Sequence, residues 1–313
     1  MKYLFIVGVG RSGTSLLQSM LSVHPDIDML PETAFLRRFA VKHDLLNDEE
    51  VINDLLNDDH LKRLKIEKDV LRMHLQSEAS LNSIEFYQLL LDNCCSFEKD
   101  RLYVGDKDPR LIEYLPFLFS HFESPQVVNV VRDPRDILVS KKKADWSSKR
   151  HPLLHIFANI VQIELAKEYI EKNPNVDLHT LVYEELLSNP ECTLKKLCDD
   201  LSLPFVTQMI NNFGEGAKKL VDKAELSWKK ETFGPLLKNN TDKWKRELDD
   251  WEIALIERSC KTVFTLGGYK VSGVYYTLPL RKRLFVSLMT IAFSIAGPLY
   301  KFYRNYTMRT RKK

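Results

Sequence analysis

The stretch Tyr3–Ser15 restricts the fold of this chain more than any other. An apolar run, Tyr3–Val7, ends at Gly8-Val9-Gly10-Arg11-Ser12-Gly13, and Thr14–Val23 follows with Leu16, Leu17, Met20 and Leu21 on one helical face. Pro25 closes that helix. Strand, glycine turn and helix in this order begin an α/β sheet, because a buried strand followed by a helix leads to a parallel neighbour by a crossover. Glycines at such a turn let consecutive backbone N–H groups converge on an anion at the helix N-terminus, so phosphate or sulfate binding is expected.

Later segments repeat the alternation. Ile27–Leu30 reads as a second strand, leading to Glu32, and 35–97 turns helical and acidic, as suits an insertion capping a site. Strand-like runs return at Leu102–Val104 and Gln126–Val131, the latter rich in β-branched valine and suited to burial on both faces. A helix is expected from Pro134 to about Trp146, another over 153–172, a strand near Asp177–Val182, and helices around Cys192–Leu201 and Leu248–Leu266. The expected fold class is α/β: a P-loop-type, mainly parallel sheet flanked by helices, with its glycine turn at the ligand-binding edge. The turn departs from the loop of nucleoside-triphosphate hydrolases in one respect: Thr14 stands where they carry Lys, and the cation is Arg11.

A second motif narrows the ligand. Val127–Val131 runs into Arg132-Asp133-Pro134-Arg135-Asp136, followed by Ser140. A Walker-B strand delivers an Asp to Mg²⁺ at such a strand end, whereas here Arg132 comes first. Together the RSGT turn and the RDPRD-x₃-S segment resemble the sulfotransferases that use 3′-phosphoadenosine 5′-phosphosulfate (PAPS), and are closest to the tyrosylprotein-sulfotransferase-like and bacterial branch. The resemblance implies that Arg11, Ser12, Gly13, Thr14 and Ser15 hold the 5′-phosphosulfate while Arg132 and Ser140 hold the 3′-phosphate. A guanidinium fork suits a phosphate that ordinary nucleoside triphosphates lack there.

That branch's pattern continues through His24-Pro25 and Pro31-Glu32-Thr33, with Pro31 replacing a neighbouring acid, so the likeness places Glu32 as general base and Arg11 as catalytic arginine. Asp106-Lys107-Asp108-Pro109 resembles its lysine segment, placing Lys107 beside the transferring group, and Tyr183, Ser227 and Lys243 resemble residues that close over the nucleotide. By analogy with phosphoryl transfer the work is positional and electrostatic, and no metal is required. Taken alone, each residue has a plainer reading: Glu32 as a solvated helix-terminal charge, Lys107 as a partner of Asp106 or Asp108, and His24, an alternative base because other sulfotransferases use histidine, as a capping or packing residue. Arg135 and Lys141–Lys143 are expected to add positive potential near the 3′-phosphate or to form a solvated helix face, and Trp146 and Trp244 to be core or rim.

Charge distribution addresses the partners. Nine Lys or Arg and no acid fall within 281–313, so the +3 of the whole chain leaves the rest at −6. A nucleic-acid-binding face needs cations on the folded body, and DNA or RNA is not expected. Leu284–Tyr300 is an uncharged run of 17 residues between basic clusters, at the lower limit of a membrane span. Cations on both sides conflict with crossing and suit an anionic membrane surface. Five cysteines lack the spacing of a zinc site and read as reduced thiols, and Tyr3–Val7 is too short for a signal core, so a cytoplasmic location on a membrane face is expected.

The resulting division is a sulfotransferase domain over 1–275, with the 35–97 cap, and a membrane-associating tail over 281–313. The expected activity is sulfuryl transfer from PAPS to a hydroxyl acceptor, a glycan, glycolipid or other small molecule, by in-line displacement. The alternatives are a P-loop kinase-like phosphotransferase, against which Thr14 and Arg132 count, and a non-catalytic membrane-associated nucleotide-binding protein.

Overall fold

The computed structural model describes residues 2–46, 48–64, 66–67, 72, 82–94, 101–220, 233–237 and 240–309. Five strands, β1 (Lys2–Gly8), β2 (Ile27–Met29), β3 (Tyr103–Lys107), β4 (Gln126–Val131) and β5 (Leu178–Val182), form one sheet in the order β2-β3-β1-β4-β5. Every pairing is parallel, with Ile6 opposite Lys107, Gly8 opposite Val130, Met29 opposite Gly105 and Val131 opposite Val182. Connections from β1 leave to one side of the sheet and those reaching β4 and β5 to the other. The crevice beyond the C-terminal end of β1 is therefore where such a sheet takes a ligand.

Burial on both faces explains the unbroken apolar runs. Leu4 and Ile6 of β1 join Val128, Val130 and Tyr103 under α1 (Thr14–Leu21), whose Leu16, Leu17, Met20 and Leu21 are all buried. Phe5 and Val7 point the other way with Val127 and Val131, packing with Ile137, Ile156, Ile163 and Leu255. Strand side chains alternate between faces, so neither set can leave the core without losing register.

Helices α2 (Pro134–Lys143), α3 (Pro152–Lys172) and α4 (Asp250–Ser259) cover that second face, and α5 (Leu280–Arg309) lies across α3 and α4. Three boundaries differ from expectation for local reasons. The helix after Pro134 stops at Lys143, where Ala144 turns extended and the Ser147 hydroxyl donates to the Lys141 carbonyl at 2.6 Å. The helix expected over Leu248–Leu266 breaks at Cys260 into α4, opened by an Asp249–Glu252 capping box, and a separate helix Lys261–Gly267. Strand β3 runs on to Lys107, carrying that residue to the crevice. Within the described part of the cap, Leu36–Ala40 is a π-helical turn and Glu49–Asn57 and Ser83–Cys94 are α-helical.

Candidate active site

All five strands deliver a candidate residue at the same edge. The turn follows β1, Glu32 lies just past β2, Lys107 ends β3, Arg132 follows β4 and Tyr183 follows β5. They meet around a cleft of about 440 Å³, lined among others by Arg11, Gly13, Thr14, Ser15, Glu32, Lys107, Arg132 and Tyr183. Residues separated by about 170 positions in sequence converge because parallel strands end together.

On one wall the glycine turn is held in an unusual backbone shape. Arg11 has φ 79° and Gly13 φ 102°. A left-handed conformation costs a residue with a side chain roughly 1–2 kcal/mol, so the fold sustains strain at Arg11. A Cβ on Gly13 would lie 2.2 Å from the Tyr183 ring, so only glycine lets that ring close on the turn. Arg11 Nε donates to Ser140 Oγ at 2.9 Å, and Arg132 Nη1 donates to the Arg11 carbonyl at 3.1 Å. The two sequence motifs are thus bonded directly to each other.

Arg132 is further placed by stacking over Tyr183 at 4.3 Å and by donating through Nη2 to the Asn240 carbonyl at 2.9 Å. Asn240 in turn donates to the Tyr183 hydroxyl at 2.8 Å. Asp136 anchors the same segment by accepting from the Asp242 and Trp244 amides at 2.7 and 3.0 Å. Two buried polar atoms in this wall, Ser12 Oγ and Arg132 Nε, have no hydrogen-bond partner among the described residues. Unpaired buried donors are costly and point to an anionic or polar ligand, as do the outward N–H groups where α1 begins.

The opposite wall is built on carboxylates. Lys107 Nζ forms an ion pair with Glu32 rather than with Asp106 or Asp108, and the lysine side chain is buried while that of Glu32 is one-fifth exposed to the cleft. Asp106 lies beneath, accepting from the hydroxyls of Thr33 at 2.7 Å and Tyr87 at 2.8 Å. Burial raises its carboxyl to about 6, against the opposing effect of those two hydrogen bonds. Asp108 accepts from Arg37 Nε at 2.8 Å, and burial raises its carboxyl too. His60 Nδ1 lies 3.3 Å from the Glu32 carbonyl.

Sequence reasoning missed Arg37, His60, Arg63, Arg110 and Asn240 among the lining residues. The first three come from 35–97, a stretch whose sequence has no recognisable pattern. Other expected residues lie elsewhere. Ser140 bonds to Arg11 without lining the cleft, and Lys243 sits half-buried in the turn anchored by Asp136. Ser227 lies outside the described residues. His24 is buried, with Nε2 2.7 Å from the Pro204 carbonyl and Nδ1 accepting from the Asp26 amide, which fits the packing role.

Arg135 adds no free charge to the site. It is paired with Asp133 and Glu257 and stacked 3.8 Å over Trp244, which makes that tryptophan core, whereas half-exposed Trp146 is rim. Lys142 and Lys143 pair with Glu252 and Glu247, and Lys141 is buried, its amine lowered to about 8 by desolvation. Among the described residues no cluster of three or more His, Cys, Asp or Glu could hold a metal ion.

The arrangement offers fixed cations and unpaired donors to an anion on one wall and a carboxylate, reachable from the cleft, on the other. Comparison with known proteins agrees with such chemistry. Residues 4–207 match the model described as the sulfotransferase family. No curated protein matches the sequence. The fold is similar to that of the sulfotransferase domain from the curacin biosynthetic pathway, at 16% identity and TM-score 0.62 over 86% of this chain and 98% of that one. It is similar also to the sulfotransferase domain from the Synechococcus PCC 7002 olefin synthase, at 18% identity and TM-score 0.61, covering 80% and 89%.

Proposed function

This chain belongs to the sulfotransferase family, and on that premise we propose that it transfers a sulfuryl group from PAPS to a hydroxyl acceptor, a glycan, glycolipid or other small molecule, by in-line displacement. The observation that carries the choice of donor is Arg132. It is a buried guanidinium at the end of β4 with an unpaired Nε, fixed by Tyr183, Asn240 and the Arg11 carbonyl. That group is preorganised for a phosphate at the ribose 3′ position, the feature that separates PAPS from ATP.

Bound PAPS supplies the sulfuryl group and a phosphate leaving group. The other contributions belong to the chain. Ser12, Gly13, Thr14 and Ser15 hold the 5′-phosphosulfate through backbone N–H groups, hydroxyls and the helix N-terminus, while Arg132 and Ser140 hold the 3′-phosphate. Tyr183, Ser227 and Lys243 close over the nucleotide. Glu32 takes the acceptor hydroxyl proton as the new oxygen–sulfur bond forms and the bond from sulfur to the leaving phosphate oxygen breaks, and its pairing with Lys107 holds it in the cleft. Arg11 and Lys107 stabilise charge gathering on the leaving side, without a metal.

Residues 1–275 act in this reading as one catalytic domain. The 35–97 cap supplies Arg37, His60 and Arg63 to the acceptor side. Segment 281–313 associates the enzyme with an anionic membrane surface on the cytoplasmic side, and its helix is long and apolar enough for membrane contact.

The deciding experiment is calorimetric titration with 3′-phosphoadenosine 5′-phosphate (PAP), with ATP, and with the Arg132→Ala variant. Metal-independent binding that requires both the 3′-phosphate and Arg132 supports the donor. Preference for Mg²⁺-ATP would replace it with a kinase reading. PAP binding without release of PAP from PAPS across panels of glycan and glycolipid acceptors would favour the non-catalytic one.

A further inference from the structure

Helix α5 has two unlike long faces. The inner one is docked: Val286 is fully buried, Met289 and Phe293 pack on the main core, and the Ser287 hydroxyl is 2.8 Å from that of Tyr275. Its far end is tied by polar contacts. Tyr300 and Arg304 donate to Glu113 at 3.0 and 2.7 Å, and Lys301 pairs with Glu168. Glu113 is itself buried and also takes bonds from Gln162 and Arg110.

The outer face is a ridge of Leu284, Leu288, Ile291, Ile295, Leu299 and Phe302, each more than half exposed. Steps of three and four residues place them on one stripe, about 27 Å long at 1.5 Å per residue. A continuous apolar stripe of this size on a water-soluble surface marks an interaction site.

Charge selects among three occupants. A second copy of the helix, parallel or antiparallel, would bring basic ends together, and no acid within 281–313 is available to pair with them. A span would strip Tyr300, Lys301 and Arg304 from their partners and leave Glu113 a buried, under-paired carboxylate. An anionic bilayer surface accepts the ridge and the exposed Arg281 and Lys282 at its start, while Tyr303 and Tyr306 suit the headgroup level.

We propose that α5 seats the enzyme in the plane of one anionic leaflet, its ridge in the lipid and its inner face still docked on the catalytic domain, without crossing the bilayer. This rests on the membrane reading of the tail given above and specifies its geometry. Each Leu, Ile or Phe removed from water contributes about 1.5–3 kcal/mol, so the ridge and its cations together suffice for reversible attachment.

Flotation of the full-length protein with sealed phosphatidylcholine vesicles, with and without phosphatidylglycerol, tests it. The protein should float with the anionic vesicles, and Leu288→Glu with Ile295→Glu should weaken this by about tenfold or more, with the unfolding temperature unchanged because both side chains already face water. A C-terminal epitope should remain digestible by protease added outside. Protection of that epitope would overturn the in-plane geometry while keeping membrane attachment. Failure to float on any vesicle would overturn the membrane reading itself. A lipid-free dimer abolished by the same two substitutions would assign the ridge to a second copy instead.

Discussion

Glu32 and Lys107 hold each other in the cleft, and the pairing orients the carboxylate. Glu32→Gln keeps the shape and removes the basicity. We expect turnover to fall about 10²–10⁴-fold while PAP affinity, measured by calorimetry, stays near that of the parent. Asp106, one residue before Lys107, is a different kind of carboxyl, enclosed under Thr33 and Tyr87 and raised to about 6. The folded state therefore keeps its proton to higher pH than the unfolded chain, whose ordinary value is 3.8. Between those two values only the folded state binds the proton, so this residue's contribution to stability declines as pH rises from about 4 to 6 and is constant above. Urea denaturation of the parent and of Asp106→Asn across that range should show a steeper decline in the parent than in the variant, which keeps only the contribution of other raised carboxyls such as Asp108. Pairing of Lys107 with Glu32 rather than with its sequence neighbours was not legible beforehand, since alternate residues of a strand point to opposite faces and β2 decides what lies opposite.

At the scale of elements, the sheet's parallel order makes the site, because every strand ends at one edge and each end carries one functional candidate. The turn after β1 depends on Gly13 in both conformation and space. Gly13→Ala must adopt φ near 102° and place a methyl inside the Tyr183 ring. Tyr183 would then move, taking its stacking on Arg132 and its bond from Asn240 with it. We expect PAP affinity to drop at least about tenfold, a loss of about 1.4 kcal/mol, with the far-ultraviolet circular dichroism spectrum retained. The glycine turn and the Arg132 segment were readable from sequence because both are local patterns: consecutive residues, one strand, one helix start. Asn240 was not readable. Its role arises from an anchoring of 240–244 by Asp136, and nothing in the spacing of Asn240 relative to Arg132 records it.

For the molecule as a whole, the basic tail has one docked side and one exposed side. Its inner face completes the packing of α3 and α4, so deletion of 281–313 would expose the surface of those helices on which Val286, Met289 and Phe293 pack, besides removing the ridge. Glu113→Ala examines the docking alone. Removing the shared acceptor of Tyr300, Arg304, Arg110 and Gln162 should cost about 3 kcal/mol, at the lower end for breaking a buried pair, seen as a lower urea midpoint with unchanged slope. Amino-acid order alone determined the alternation of strands and helices, the glycine turn after β1, the arginine at the end of β4 and the basic, apolar tail, because each is set by periodicity or short-range chemistry. Tertiary structure alone decided that Lys107 faces Glu32, that Arg135 is paired with Asp133 and Glu257, that Arg37, His60 and Arg63 line the cleft, and which side of the tail is docked. Those outcomes depend on which distant segments become neighbours, and hydrophobic burial, which is non-directional, brings them together without leaving a mark in the local sequence.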